Sequence, residues 1–243
     1  MRIIDAVLGL FKPSVVTTET KIKTVRLETV DSTNSFLRTY TPAADEPMTV
    51  AVAAYQTAGR GQGTNTWESE AGKNLLFSVL VHPVMLPVRS RFLLSEAGAL
   101  ALKEALADYV KDDIRLKWPN DILVNERKLA GILVEIVNQP NGKLNLVVGI
   151  GMNVSLGQEK QIDQPWAELA EFFPHIDREK LIIQMVNTIY RYLARFEQHG
   201  IDAEMQQQWL EYDAYLGTEV NVISEKSTIS GIEQGINAQG HLC

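Results

Sequence analysis

The chain has 243 residues, 45% hydrophobic and 22% charged, an ordinary globular composition that can bury a real core in one main domain with a small appendage. A formal net charge of -7 argues against broad binding to nucleic acid or to an anionic membrane, which calls for a basic surface. The single cysteine, Cys243, excludes an intramolecular disulfide framework and a cysteine-based zinc site and suits a reducing cytosol.

Met1 to Lys12 sets Ile3, Ile4, Val7, Leu8 and Phe11 at helical spacing before Pro13 ends the run. Asp5 within the run, and the lack of a small-x-small cleavage site, make it a short helix or tail (residues 1–20) and not a signal peptide. No stretch approaches the roughly 18 to 20 apolar residues of a membrane span, so the expected location is the cytoplasm. Lys21 to Val30 alternates as a strand does, and Asp31 or Ser32 can cap a short helix through Phe36 and Leu37. Thr41 to Pro47 reads as a loop and Thr49 to Tyr55 as a buried strand.

That strand runs into Gly59, Gly61 and Gly63, closed by Trp67. Glycines let backbone N–H groups approach a ligand, and Arg60 between them offers a planar fork for carboxylate or phosphate oxygens; a plain surface loop with a solvated arginine is the competing reading. Asn74 to Val81 is a strand ended by His82-Pro83, with His82 structural. Arg91 to Val110 is a long helix, apolar along one face and packed on the sheet.

Ile114 to Glu135 carries the next cluster. Pro119 biases Trp118 away from helix and Asn120-Asp121 is turn chemistry, so Lys117 ends a strand at a sharp corner. Asp121 to Val124 resumes an apolar run, Asn125-Glu126-Arg127 makes a tight connection, and Lys128 opens the apolar Leu129 to Val137. Each lysine alone can be a solvated strand end. Two lysines, an arginine in a glycine loop and a nearby carboxylate together suggest polyphosphate or acyl-phosphate chemistry, with a metal held by Asp121.

Pro140-Asn141-Gly142 is a hairpin turn. Gly149-Ile150-Gly151 then leaves its strand as a close-approach loop, with Asn153 able to hydrogen-bond a ligand. Asp177 caps a helix that stops at Gly200, and a further helix covers about Ala203 to Leu216. Beyond Gly217 the pattern turns to short strands, Glu219 to Ile223 and Thr228 to Glu233.

Gln56-Thr57-Ala58-Gly59-Arg60-Gly61 with Trp67, then Lys117-Trp118-Pro119-Asn120-Asp121, then Arg127-Lys128-Leu129-Ala130-Gly131-Ile132-Leu133-Val134-Glu135, resemble the successive signatures of biotin protein ligases. Asp31-Ser32-Thr33-Asn34 upstream and Gly149-Ile150-Gly151-Met152-Asn153 downstream fit the same family in the same order. The resemblance implies an α/β (α+β) fold, a central mixed sheet flanked by helices like that of class II aminoacyl-tRNA synthetases, over residues 21–216. It also implies a partial SH3-like barrel over 217–243, whose remaining strands would be expected after Cys243. The residues ahead of Lys21 are too few for the winged-helix DNA-binding domain that some members carry, so the short form is expected.

The activity implied is two-step: biotin and Mg-ATP give biotinyl-5′-AMP, and biotin then passes to a lysine of a biotin carboxyl carrier protein or domain. The resemblance places Ser32, Thr33, Asn34, Gln56, Gly61, Gln62 and Gly131 around biotin. It places Arg60 and Lys128 on the carboxylate and α-phosphate, Lys117 near the phosphates, and Trp67, Asn120 and Asn153 toward the nucleotide. Asp121 serves Mg²⁺ or the incoming amine. One departure stands out: where the family usually has a second arginine the chain has Gln62, and Gly63 is shifted forward over Thr64. A lipoate or octanoate ligase of similar fold and a non-catalytic adenylate sensor are the alternatives, and a homodimer is a partner that the sequence leaves open.

Overall fold

Strand alternation decides which face of this molecule becomes core and which is left for ligands. The computed structural model describes residues 22–43, 46, 48–84, 91–138, 144–156, 165–223 and 227–243; the expected helix at Met1 to Lys12 and the turn at Pro140-Asn141-Gly142 lie outside them. The strands are β1 (Ile22–Val30), β2 (Met48–Gln56), β3 (Asn74–Val84), β4 (Ile114–Lys117), β5 (Asp121–Val124), β6 (Arg127–Asn138), β7 (Leu144–Asn153), β8 (Glu219–Ile223) and β9 (Thr228–Ile232). The first seven form one sheet in the order β1-β2-β3-β7-β6-β5-β4. Only β1 and β2 pair in parallel; the other neighbours are antiparallel, so the sheet is mixed, as expected.

Helices α1 (Thr33–Thr39), α2 (Arg91–Leu106), α3 (Arg178–His199) and α4 (Ala203–Tyr212) complete the fold. Leu75, Phe77 and Val79 of β3 and Leu146, Val148, Ile150 and Met152 of β7 join the main core with residues of α2 and α3. Because successive side chains point to opposite faces, Ser78, Gly131, Leu133, Glu135, Gly149, Gly151 and Asn153 fall on the other side. There α1 covers only a small patch of Leu37, Ala51, Leu80 and Val147. Beyond that patch, Gly131, Leu133, Gly149, Gly151 and Asn153 of this face line a cavity.

The helix ends follow their sequence signals. Asp177 accepts from the Lys180 N–H at 3.1 Å and Gly200 closes α3 at φ 68, the conformation that glycine adopts without a Cβ penalty. Ser32, not Asp31, caps α1. Four expectations need correction. β3 runs on through His82-Pro83 to Val84, with a register shift between Val81 and Val84 that accommodates the missing proline N–H; the His82 side chain lies outside the described residues. Gly149-Ile150-Gly151 stays within β7. Helix α4 stops at Tyr212. Helix α2 is buried without a break from Leu94 to Leu102 rather than along one face, because the sheet, α3 and α4 all pack on it. Strands β8 and β9 pair only with each other, so the described residues hold a two-stranded ribbon and no barrel. No helix among the described residues is long and apolar enough to cross a membrane.

Burial of α2 encloses an acid, Glu96, which is 0% exposed. Burial pushes its carboxyl up to about 8, against the opposing hydrogen bond from Trp118. Folding therefore favours the protonated form: this contribution to stability is complete below the ordinary glutamate range and is lost as pH rises toward 8. Replacing Glu96→Gln should leave the melting temperature unchanged near pH 4.5, raise it by several degrees at pH 8 and flatten its decline between them. Calorimetry across that range checks the expectation.

Candidate active site

The β4–β5 corner places the first cation. Lys117 ends β4, a cis Trp118-Pro119 bond turns the chain, and the Asn120 N–H donates to the Lys117 carbonyl at 3.1 Å. The Asn120 side chain donates to the Ile132 carbonyl at 2.7 Å, and the Ile132 N–H returns a bond to the Asn120 carbonyl at 3.0 Å, which staples the corner to β6. Asn125 and Glu126 take φ 49 and 63, the left-handed pair of a two-residue hairpin turn. That turn returns β6 beside β5 and brings Lys128 Nζ to 2.8 Å from Asp121 Oδ1. Lys117 makes no ion pair among the described residues.

The glycine loop folds back on itself. Arg60 and Thr66 form a bridge, the Gly61 N–H donates to the Asn65 carbonyl at 2.8 Å and the Trp67 N–H to the Gly59 carbonyl at 3.0 Å. A Cβ on Gly59 would strike the Trp67 carbonyl. The Gly61 N–H is thus spent inside the loop, while Arg60 and Gln62 line the cavity beside it. Trp67, closing the loop, lays its ring over β6 and β7 where Gly131 and Gly151 leave room; a Cβ on Gly151 would land on the indole. Lys128 Nζ lies 5.5 Å from the ring centroid, and the buried indole N–H has no hydrogen-bond partner.

At the other end, α1 docks polar residues on the sheet. The Thr33 N–H donates to Gln56 Oε1 at 2.7 Å, while Thr33 Oγ1 lies 3.0 Å from the same oxygen and 2.7 Å from Ser78 Oγ. Ser78 Oγ is in turn 2.6 Å from Asn34 Oδ1. Two hydroxyl hydrogens serve these three side-chain contacts, so the chain of bonds can reverse direction when a ligand supplies a donor. Asn34 Nδ2 donates to the Leu133 carbonyl at 3.2 Å and to Glu135 at 2.9 Å. Glu135 also pairs with Arg60 and, at 3.4 Å, with Arg38.

These parts surround one cavity of about 930 Å³. It is lined by Ser32, Thr33, Asn34 and Gln56 at the α1 end, by Arg60, Gly61, Gln62 and Trp67 from the loop, and by Lys117, Asn120, Asp121, Lys128, Gly131 and Asn153 from the sheet. Every site residue expected from the sequence is therefore in one place. Among the described residues no three His, Cys, Asp or Glu side chains gather as a metal-ligand set.

The model of the biotin/lipoate A/B protein ligase family matches residues 27–153. The chain belongs to that family. It is 32% identical to the bifunctional ligase/repressor BirA of Escherichia coli (strain K12) over 218 residues, 89% of this chain and 67% of the relative. To the biotin–[acetyl-CoA-carboxylase] ligase of Paracoccus denitrificans it is 30% identical over 223 residues, 89% of this chain and 91% of the relative. The structure superposes on a biotin protein ligase from Aquifex aeolicus solved in complex with biotin and ATP, with TM-score 0.76, 28% identity and 90% of each chain covered.

Within this biotin/lipoate ligase frame, three asparagines act as braces. Asn120 is spent on Ile132 and Asn34 on Leu133 and Glu135, while Asn153 Nδ2 donates to the carbonyls of Lys128 and Ala167, both at 3.2 Å. Glu135, which orients Arg60, and Ser78, which carries the polar chain, received no role from the sequence. Both sit on the ligand face of strands otherwise apolar, and that misplaced polarity was the available signal. The glycines of β7 are the point of closest approach. Gly151→Ala should displace Trp67 and lower its intrinsic quenching or emission response to ligand, with a melting temperature within a few degrees of the parent; an unchanged tryptophan spectrum would show that the ring does not rest there.

Proposed function

We propose that this chain is a biotin protein ligase that forms biotinyl-5′-AMP from biotin and ATP and then biotinylates one lysine of a biotin carboxyl carrier protein or domain, in the cytoplasm. The observation that supports it most is the joining, in one cavity, of Thr33 and Gln56, backed by the buried Ser78 hydroxyl in a reversible chain of hydrogen bonds, with three cations at Arg60, Lys117 and Lys128. The polar chain matches a ureido ring, which both donates and accepts; the cations match a carboxylate beside phosphates.

In the first step a biotin carboxylate oxygen attacks the α-phosphorus and the bond to pyrophosphate breaks. Charge accumulates on the phosphate oxygens, and its stabilisation by fixed donors is the main protein contribution. Arg60 and Lys128 are assigned to carboxylate and α-phosphate, and Lys117 to the phosphates. The ion pairs with Glu135 and Asp121 hold the two former side chains in place before substrate arrives. Trp67 closes over the adenylate, and its unpartnered indole N–H is a donor awaiting an acceptor. Mg²⁺ would arrive with the nucleotide and neutralise phosphate charge, with Asp121, which also pairs with Lys128, the residue that would hold it. In the second step the acceptor lysine, as free amine, attacks the acyl carbon, the bond to AMP breaks, and the amine proton passes to solvent. Residues 21–216 would carry this chemistry and 217–243 would form an appended unit.

Biotin-dependent exchange of labelled pyrophosphate into ATP, with lipoate and octanoate alongside, tests the reading. Exchange with biotin alone is expected. Exchange only with the fatty acids would reassign the substrate, and biotin binding without exchange would make the chain an adenylate sensor. Gln62 lines the same cavity but cannot neutralise an anion as an arginine does. Gln62→Arg should therefore slow adenylate dissociation about tenfold, the scale of one charge-assisted hydrogen bond; an equal or faster rate would exclude a holding role for this position.

A further inference from the structure

Glu96 has no part in the chemistry above, and its place is costly. It lies in α2, where Leu94, Ala97, Ala99, Leu100 and Ala101 are buried around it in sequence, and an uncompensated acid there opposes folding. What glutamate supplies and an apolar residue cannot is an acceptor: Glu96 Oε1 takes the indole N–H of Trp118 at 3.2 Å. The same N–H reaches the Gly240 carbonyl at 3.1 Å.

Both partners lead to the cavity. Trp118 stands between Lys117 and Asn120, which line it. Gly240 belongs to a terminal hairpin closed by bonds from the Gln234 N–H to the Cys243 carbonyl at 2.7 Å, Cys243 to Gly235 at 2.8 Å and Asn237 to His241 at 3.0 Å. Leu242 of this hairpin is itself a wall of the cavity. Gly240 adopts φ 73, and a Cβ there would stand 2.5 Å from Leu93 Cδ2 and 2.9 Å from Glu96 Oε2. The hairpin is thus seated on α2 through a bare Cα, directly beside the acid.

We propose that Glu96 is a positioning residue for the nucleotide: by holding the Trp118 indole against the terminal hairpin it sets the angle at which Lys117 meets ATP. This rests on the reading that the Lys117 side of the cavity takes the nucleotide. Biotin, bound at the α1 end, is outside its reach.

The test uses the full chain and three variants. In Glu96→Leu the KM for ATP in pyrophosphate exchange should rise about five- to tenfold, the scale of one lost hydrogen bond, with the KM for biotin within twofold. Amide hydrogen exchange in residues 234–243 should accelerate even as the melting temperature rises. Glu96→Gln, a neutral isostere with the same acceptor, should restore both readouts, and Gly240→Ala, approaching from the other side, should reproduce the leucine phenotype. Unchanged ATP KM and hairpin exchange in Glu96→Leu would overturn the proposal, as would an equal rise in both KM values. A parent chain inactive with biotin would sink the ligase reading instead. The hairpin measurement still decides in that case: faster exchange in the leucine variant, reversed by glutamine, sustains the link, and no change overturns it.

Discussion

The site depends on side chains that rest directly on the backbone of β7. A strand admits such contact only where it has no side chain of its own, and on the ligand face of β7 those positions are Gly149 and Gly151. A Cβ on the first would land on the Asn34 carboxamide and on the second in the Trp67 ring. From Asn34 the order spreads to Ser78 and Glu135, and from Glu135 to Arg60. From Trp67 it spreads through the Gly59 carbonyl to the neck of the loop that carries Arg60. The two glycines thus orient the same arginine from two directions, and neither needs an unusual φ to do so.

The second constraint is electrostatic. The chain is acidic overall, yet its cavity carries Arg60, Lys117 and Lys128, so the local arrangement and not the net charge selects an anionic ligand. Arg60 and Lys128 are held by Glu135 and Asp121, and the Lys128–Asp121 pair leaves only 18% and 12% of its side chains exposed. Such pairs contribute little to stability on their own account. Their effect here is orientation: a cation already fixed loses less freedom when an oxyanion forms, which is what distinguishes transition-state stabilisation from simple attraction.

Much of this was legible in the sequence because it lies in local patterns. Caps at Asp177 and Gly200, the corner at Trp118-Pro119 and the order of the motifs needed only near neighbours in the chain. Long-range facts escaped. Nothing near Gly149 says that the strand continues, since a glycine spared a side chain for Asn34, more than a hundred residues earlier, looks the same as one starting a loop. The braces made by the asparagines at 34, 120 and 153 escaped as well, because the backbone carbonyls that take their amide N–H groups lie on other segments of the chain. Helix α2 read as one-faced because alanines are neutral to amphipathic pattern; they are small so that three layers can close on it.

Two buried acids lie along one seam, where the terminal segment meets the sheet. Glu96 sits beneath Trp118 and Gly240. Glu233, 3% exposed, is pushed up to about 7 by burial and by the neighbouring Asp213 carboxylate. Asp213 is pinned by the Trp209 indole at 3.0 Å and the Tyr215 N–H at 2.9 Å, and the Ala214 N–H donates to the Leu116 carbonyl, one residue before Lys117. Apolar packing would make a firmer joint at either place. Buried acids join the same surfaces at lower stability but with direction, since an acceptor fixes where an indole points while a methyl group does not. Local rules are broken where geometry matters more than strength, and both acids break them within a few residues of the corner that bears Lys117.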